Sequence, residues 1–341
     1  MKTYLVKLTP LEPYFFGNEK TFLFKGEENQ GQRGNMYFIR SERTPLQSTL
    51  MGMMRYLLMP HKGFDQAYCD QNAAVIGEAS FDIEAEAQSF GLIEWVHPLF
   101  LMRGCEKYVV TPMDCSADKT EYTPFSDYKD IETDRGIKKY AADYDVKKGL
   151  TDSYVSLSDG SLIQSADIFG AETRVGNMQS SGTGNKSGFF KKEYRYLKDG
   201  FSFAFYVDLD DSAVLPENGV THVFLGQGKS LFRASFTEEE NTLERQVAEL
   251  LPENIIYCLS DVYTDSEILE LCEFAILPQR DYRAYKTLSD GKVKKGSTLF
   301  KLIKAGSVMI ANDKNALLQK ITNGNCLKAG FNHVVTREEL L

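Results

Sequence analysis

Apolar and polar residues near the start of the chain alternate imperfectly, with Tyr4, Val6 and Leu8 on one side and Thr3, Leu5 and Lys7 on the other. That pattern predicts a strand buried largely on both faces, ended by Pro10 and Pro13, which cannot donate to a ladder. After a polar, glycine-rich insertion at about 25–36, Leu50, Met53, Met54, Leu57 and Leu58 fall at helical spacing, with Ser48 placed to cap the helix and Pro60 to stop it. Glu78–Glu86, Gly91–Met102 and Lys107–Pro112 read as extended segments. Residues 121–149 carry many Asp, Lys and Tyr and no apolar period, so they read as a surface insertion with no assigned structure.

The clearest strand is Phe201–Leu209, where Phe201, Phe203, Phe205 and Val207 alternate with Ser202, Ala204, Tyr206 and Asp208, the pattern of a half-buried strand. Thr221–Leu225 and Leu231–Phe236 flank Gly226-Gln227-Gly228 and predict a hairpin. Thr237 with Glu240 then predicts a capping box for a helix carrying Leu243, Val247, Leu250 and Leu251. A second unit is expected from Pro252, dividing the chain into residues 1–251 and 252–341. It contains apolar Ile255–Leu259, a short helix over Ser266–Phe274, a strand over Ser307–Ile310 and a helix over Asn315–Ile321 ended by Asn323-Gly324. Strands and helices mixed without a regular repeat indicate an α+β arrangement with split βαβ units rather than a doubly wound parallel sheet.

A chain of 341 residues, 43% of them hydrophobic, can bury a sizeable core. It has no run of about 18 apolar residues, and Met1–Leu5 lacks the regions of a signal peptide, so a soluble, cytoplasmic protein without a membrane partner is expected. The six cysteines form no Cys-x-x-Cys pair, which points to reduced thiols. His97, Cys105 and Cys115 match no zinc spacing, so neither a metal centre nor a cofactor is expected.

The net charge of −9 argues against phosphate binding until its distribution is considered. Arg174–Lys198 holds six Lys/Arg and one acid, and Arg280–Ser307 holds eight against Asp281 and Asp290. Two windows of +5 and +6 leave −20 for the rest of the chain, so positive charge is concentrated.

Within the first window, Arg174-Val175-Gly176-Asn177 leads into a Gly/Ser/Lys-rich run containing Ser181, Gly182 and Lys186, followed by Lys191, Lys192 and Arg195. Glycines allow backbone N–H groups to approach phosphate, hydroxyls donate to it, and the cations neutralise it. Phe189, Phe190, Tyr194 and Tyr196 offer faces for base stacking or for a core. The same composition also fits a flexible surface loop. In the second window Arg280, Tyr282, Arg283, Tyr285 and Lys286 interleave charge with aromatic rings, and Gly306-Ser307 adds a turn; RNA contact and a solvated face are both compatible. Gly228-Lys229-Ser230 is not a P-loop, because Val223 stands where that motif needs glycine. Asp208–Asp211 reads as a solvated turn. No nucleophile motif surrounds any histidine; His61 reads as a helix-end residue or as a ribonuclease base.

Taken in order, these segments resemble the RAMP proteins of CRISPR systems, specifically the Cmr (type III-B) subunits that hold the 5′ handle of the guide RNA. Leu8–Phe16 looks like that family's opening strand, Pro45–Arg55 like its first helix, and Trp95–Phe100 with Val110–Asp114 like its next block. Glu172-Thr173-Arg174-Val175-Gly176 is similar to the family's Glu-x-Arg-Val-Gly, and Ala305–Val308 and Gly330–Asn332 complete the series. Tyr282 and Tyr285 stand where the family often has a Trp-rich pattern. The resemblance implies two ferredoxin-like (RRM-type) units with insertions, a protruding β-hairpin around the first basic window, and no catalytic centre. It implies a clamp on the crRNA 5′ handle, docked to the large polymerase-like subunit and the repeated backbone RAMP subunit, and meeting target RNA only indirectly. The alternatives are a RAMP-type endoribonuclease that processes precursor crRNA, with His61 or a nearby tyrosine as base, and a scaffold that binds only proteins.

Overall fold

The computed structural model describes residues 1–19, 38–59, 72–78, 80–178, 188–198, 200–226, 228–264, 267–287 and 293–337. Its main element is a nine-stranded antiparallel sheet. The spatial order is Val220–Leu225, Ser230–Glu238, Lys2–Pro10, Phe201–Leu209, Phe100–Arg103, Glu106–Val110, Ser153–Ser156 and Leu162–Gln164, with Ile93–Val96 also paired to Phe201–Leu209. The opening strand is central, as its two-faced pattern predicts. Its register sets Val6 opposite Phe205 and Leu8 opposite Phe203.

Phe201–Leu209 differs from expectation, because all nine of its residues are buried. Phe203, Phe205 and Val207 meet Leu50 and Met54 of the helix Gln47–Leu58 on one face. On the other, Ala204 and Tyr206 meet Leu243 and Val247 of the helix Leu243–Leu250, and Tyr257 and Val308 from the C-terminal part. Small and amphipathic residues on alternate positions look solvent-facing in sequence, yet here they fit under a second layer. The Tyr206 hydroxyl escapes the apolar contact by donating to Glu239 at 2.8 Å and accepting from Lys107 at 2.8 Å.

The C-terminal part forms a four-stranded antiparallel sheet in the order Cys272–Ile276, Val308–Ala311, Ile256–Cys258, Val334–Val335. Helix Lys314–Ile321 is capped by Asp313, whose carboxylate accepts from Ala316 N at 3.0 Å. One continuous hydrophobic cluster joins Leu5 and Phe100 of the large sheet to Val308 and Val335 of the small one, so the expected boundary at 251/252 passes through a shared core.

Several local expectations need correction. The first helix starts at Gln47, so Ser48 lies inside it, and Pro60 lies outside the described residues. Glu78–Glu86 is no strand: Asp82 closes an Asx turn onto Glu84 N at 3.1 Å, with Phe81 and Ile83 as buried anchors. Thr237 belongs to a strand, and Asn241 instead receives Leu243 N at 3.0 Å ahead of the next helix. The Ser266–Phe274 segment holds a single 3₁₀ turn, Ile268–Leu271, before a strand. Asn323 starts the helix Gly324–Lys328 rather than ending a chain segment. Asp208 is buried, not solvated. Finally, the insertion at 121–149 contains the hairpin Tyr128–Thr133/Gly136–Ala141, which docks on Cys272–Ile276 through the Tyr128–Phe274 edge contact at 5.0 Å and the Lys139–Glu273 ion pair. The region at 25–36 lies outside the described residues.

Candidate nucleic-acid interface

The first basic window forms a hairpin of Phe169–Met178 with Gly188–Leu197, and Phe38–Arg40 adds a short parallel strand to it. Its base is fixed by Tyr14, which exchanges two backbone hydrogen bonds with Arg195 at 2.7 and 2.9 Å. Strand alternation sorts the predicted residues by face. Arg174, Gly176, Lys192 and Tyr194 share one face, while Val175, Lys191 and Arg195 share the other.

On the first face the cations are held against rings. Arg174 donates to Glu172 at 2.6 Å and lies 4.5 Å over the Tyr194 ring. Lys192 sits 4.0 Å over Phe15, and burial lowers its pKa. Gly176 also makes room within the hairpin: a Cβ there would lie 2.3 Å from the Phe190 ring, which folds across the glycine. Gly170 makes the same room for Tyr196. Two of the proposed stacking rings therefore cover backbone.

The second face is more open. Lys191 is exposed beside Val175, which is 64% exposed, and Arg195 pairs with Glu193 at 2.8 Å. From Arg195 this face continues into a cleft of about 720 Å³ between the hairpin base and the C-terminal part. Five cations line the cleft (Arg40, Arg43, Arg195, Arg280 and Lys304), against Glu42, Asp152 and Asp261. Arg43 grips Asp152 with two hydrogen bonds of 2.6 and 2.8 Å, which hold that carboxyl below the usual range. Arg280 reaches Asp261 at 3.1 Å and Glu42 at 3.5 Å. With Glu193, which pairs with Arg195 at 2.8 Å and lies 3.9 Å from Arg40, four carboxylates face the five cations, a surplus of one positive charge.

The fold brings Arg195 and Arg280, from the two sequence windows, to this one cleft. It separates others. Arg283 pairs with Glu19 at 2.7 Å and donates to the Ser297 carbonyl. Tyr282 is 2% exposed against Phe300 and Phe331 and so belongs to the core, whereas Tyr285 is exposed. Gly306 and Ser307 are not surface residues: both are buried, Gly306 at φ +92° with its carbonyl accepting from Met113 N at 2.9 Å. They form a joint between the two parts, with no exposed surface in this structure. Ser181, Gly182, Lys186 and His61 lie outside the described residues, as do the side chains of Asn177 and Lys286. Arg40 and Arg43 were not singled out in sequence; the available signal was an Arg-Ser-Glu-Arg cluster just before the first helix.

Among the described residues the one group of donors that could hold a cation is His97, Glu244 and His333, away from the cleft. Among the described residues no helix is long and apolar enough to cross a membrane.

No protein-family model matches the sequence, and no curated protein does. Solved structures do match in fold. A chain of the cryo-EM structure of the type III-B Cmr-beta bound to cognate target RNA has a TM-score of 0.56 at 14% identity, over 98% of this chain and 97% of that one. A chain of Cmr-beta bound to cognate target RNA and AMPPnP, state 1, gives 0.52 at 12% identity, over 98% and 97%. The protein therefore has the α+β fold found in chains of type III-B Cmr-beta.

Proposed function

We propose that this protein is a non-catalytic, RNA-binding subunit of a type III-B (Cmr) CRISPR effector complex that holds the 5′ handle of the crRNA. The observation that carries this reading is the end-to-end likeness of fold to chains of an RNA-bound Cmr complex. The strand orders add to it. Taking Lys2–Pro10, the pair Ile93–Val96 and Phe100–Arg103, Phe201–Leu209, and Ser230–Glu238 as strands one to four, the spatial order is 4-1-3-2. The C-terminal sheet repeats that order from Ile256–Cys258, Cys272–Ile276, Val308–Ala311 and Val334–Val335. Both orders are those of ferredoxin-like units, with the hairpin at 169–197 as the protruding element.

RNA lies along the second hairpin face and into the cleft, where Lys191, Arg195 and Arg280 meet phosphates. The large polymerase-like subunit and the backbone RAMP subunit cover other surfaces, and target RNA is met only through guide pairing. Purification from its native cells followed by sequencing of bound RNA tests the assignment. Short species sharing one 5′ segment are expected; random RNA, or none, overturns it. Repeat RNA incubated with the protein stays intact if the subunit is non-catalytic, and specific cleavage overturns that part.

A further inference from the structure

Three residues far apart in sequence meet at a point distant from the basic hairpin in the chain order. His97 follows the strand Ile93–Val96, Glu244 lies in the first turn of the helix Leu243–Leu250, and His333 immediately precedes Val334–Val335. One donor atom from each lies within 4.8 Å of the others.

Both ring nitrogens of His333 face acceptors. Its Nδ1 is 2.6 Å from Glu244 Oε1, and its Nε2 is 3.0 Å from the Leu327 carbonyl. A neutral imidazole carries one proton, and here two acceptors face its two nitrogens, so either a second proton or a cation must sit at one of them. The Leu327 carbonyl can only accept, so a proton lies on Nε2, and the second proton or the cation lies between Nδ1 and the Glu244 carboxylate.

His97 has a partner on one nitrogen alone among the described residues. Its Nε2 meets Asp208 Oδ2 at 2.9 Å, and Asp208 is itself held by Thr3 Oγ1 donating at 2.6 Å. The opposite nitrogen, Nδ1, is buried and has no hydrogen-bond partner among the described residues. Metal-binding imidazoles are oriented by a carboxylate or carbonyl on the nitrogen that does not meet the ion, and His97 is backed by Asp208 and His333 by the Leu327 carbonyl in that way.

We propose that His97, Glu244 and His333 bind a divalent transition metal of the Zn²⁺ class. Two imidazole nitrogens and one carboxylate oxygen suit Zn²⁺ over Mg²⁺ or Ca²⁺, which take oxygen donors. Tetrahedral ligands at about 2.0–2.2 Å from the ion stand about 3.4 Å apart, so His333 and Glu244, 2.6 Å apart, open by about 0.8 Å while the more distant donors, within 4.8 Å, close by at most about 1.4 Å. Glu244 is 47% exposed, which gives the ion access and leaves a fourth position to water. The metal is a clip: it ties the large sheet and its helix to the last strand of the small one, and its binding energy adds to the stability of the joined form.

The sequence contains one tryptophan, and Trp95 lies 6.3 Å from the His97 ring and 6.4 Å from the His333 ring, so it reports directly. The full chain, stripped by chelator and dialysed, is titrated with Zn²⁺ by calorimetry and with Co²⁺ by Trp95 quenching and visible absorption. Saturable binding of one ion per chain is expected, with a rise in Tm and no competition from Mg²⁺. Glu244→Gln and His333→Ala weaken it at least about 100-fold, and Asp208→Asn, which acts on His97 from behind, by about 10–100-fold. Absence of saturation at millimolar Zn²⁺, or unchanged affinity in Glu244→Gln and His97→Ala, overturns the site. Because Glu244 is half exposed, its Gln variant keeps the test decisive even where His333→Ala fails to fold.

Discussion

Lys191 and Lys192 are neighbours in sequence and opposites in the structure, and that single alternation separates their expected effects. Lys192 already lies over Phe15 and is partly desolvated, whereas Lys191 projects from the face that runs into the cleft. Measured by fluorescence anisotropy with handle RNA across a salt series, Lys191→Ala lowers affinity and reduces the salt slope by about 0.7–1, the loss of one phosphate contact. Lys192→Ala leaves the slope unchanged. Gly306 carries a different expectation: a Cβ at φ +92° would stand 2.7 Å from Val110 Cγ1 inside the joint. Gly306→Ala therefore costs about 1–3 kcal/mol of stability in urea denaturation while RNA affinity of the folded protein is unchanged. Asp114 is fully buried, and burial raises its carboxyl to about 6 against the partial relief of the Tyr122 hydroxyl donating at 3.0 Å. A carboxyl more easily protonated in the folded state than in the unfolded one stabilises below about pH 4 and loses that contribution as pH rises through about 6. Asp114→Asn removes this dependence, so its stability relative to the unmodified protein increases by up to about 3 kcal/mol between pH 4 and pH 7.

At the scale of elements, the opening strand, the first helix and the Val220–Glu238 hairpin are legible in the sequence because each has a regular apolar period and a turn or proline at its edge. Phe201–Leu209 is legible as a strand but not as a fully buried one. Periodicity reports contrast between faces, and a face of Ser202, Ala204 and Tyr206 has the same contrast whether it meets water or a second layer. The hairpin at 128–141 shows the reverse failure. Its strands are polar on both faces, so no period marks it; its order comes from contact with Cys272–Ile276, where Lys138 donates to the Cys272 carbonyl at 2.7 Å and Lys139 pairs with Glu273. Phe274→Ala removes the ring against which Tyr128 packs, and amides of residues 128–141 are expected to lose hydrogen-exchange protection while those of Phe201–Leu209 keep theirs.

For the whole molecule, the two parts share one core. Tyr257 reaches from the small sheet to donate to the Val110 carbonyl of the large one at 2.6 Å, and Val308 and Val335 pack among Leu5, Phe100 and Tyr206. A fragment of residues 252–341 would expose that apolar face and lacks the surface burial to hold it alone. It is expected to be unfolded by circular dichroism, and the full chain to unfold in a single transition; a cooperatively folded fragment would contradict the shared core.

Local chemistry determined, from the sequence alone, that the chain is α+β, that positive charge is concentrated in two windows, and that Glu172–Gly176 opens a segment resembling an RNA-holding family. The first two are properties of neighbours along the chain, period, turn chemistry and charge density, and the third is a likeness of motif. Only the tertiary structure decided that Arg195 and Arg280 meet in one cleft with Arg40 and Arg43, that Gly306 and Ser307 are buried, and that His97, Glu244 and His333 converge. Burial and convergence depend on which faces of distant strands are pressed together, and a residue's own neighbours in sequence hold no record of that.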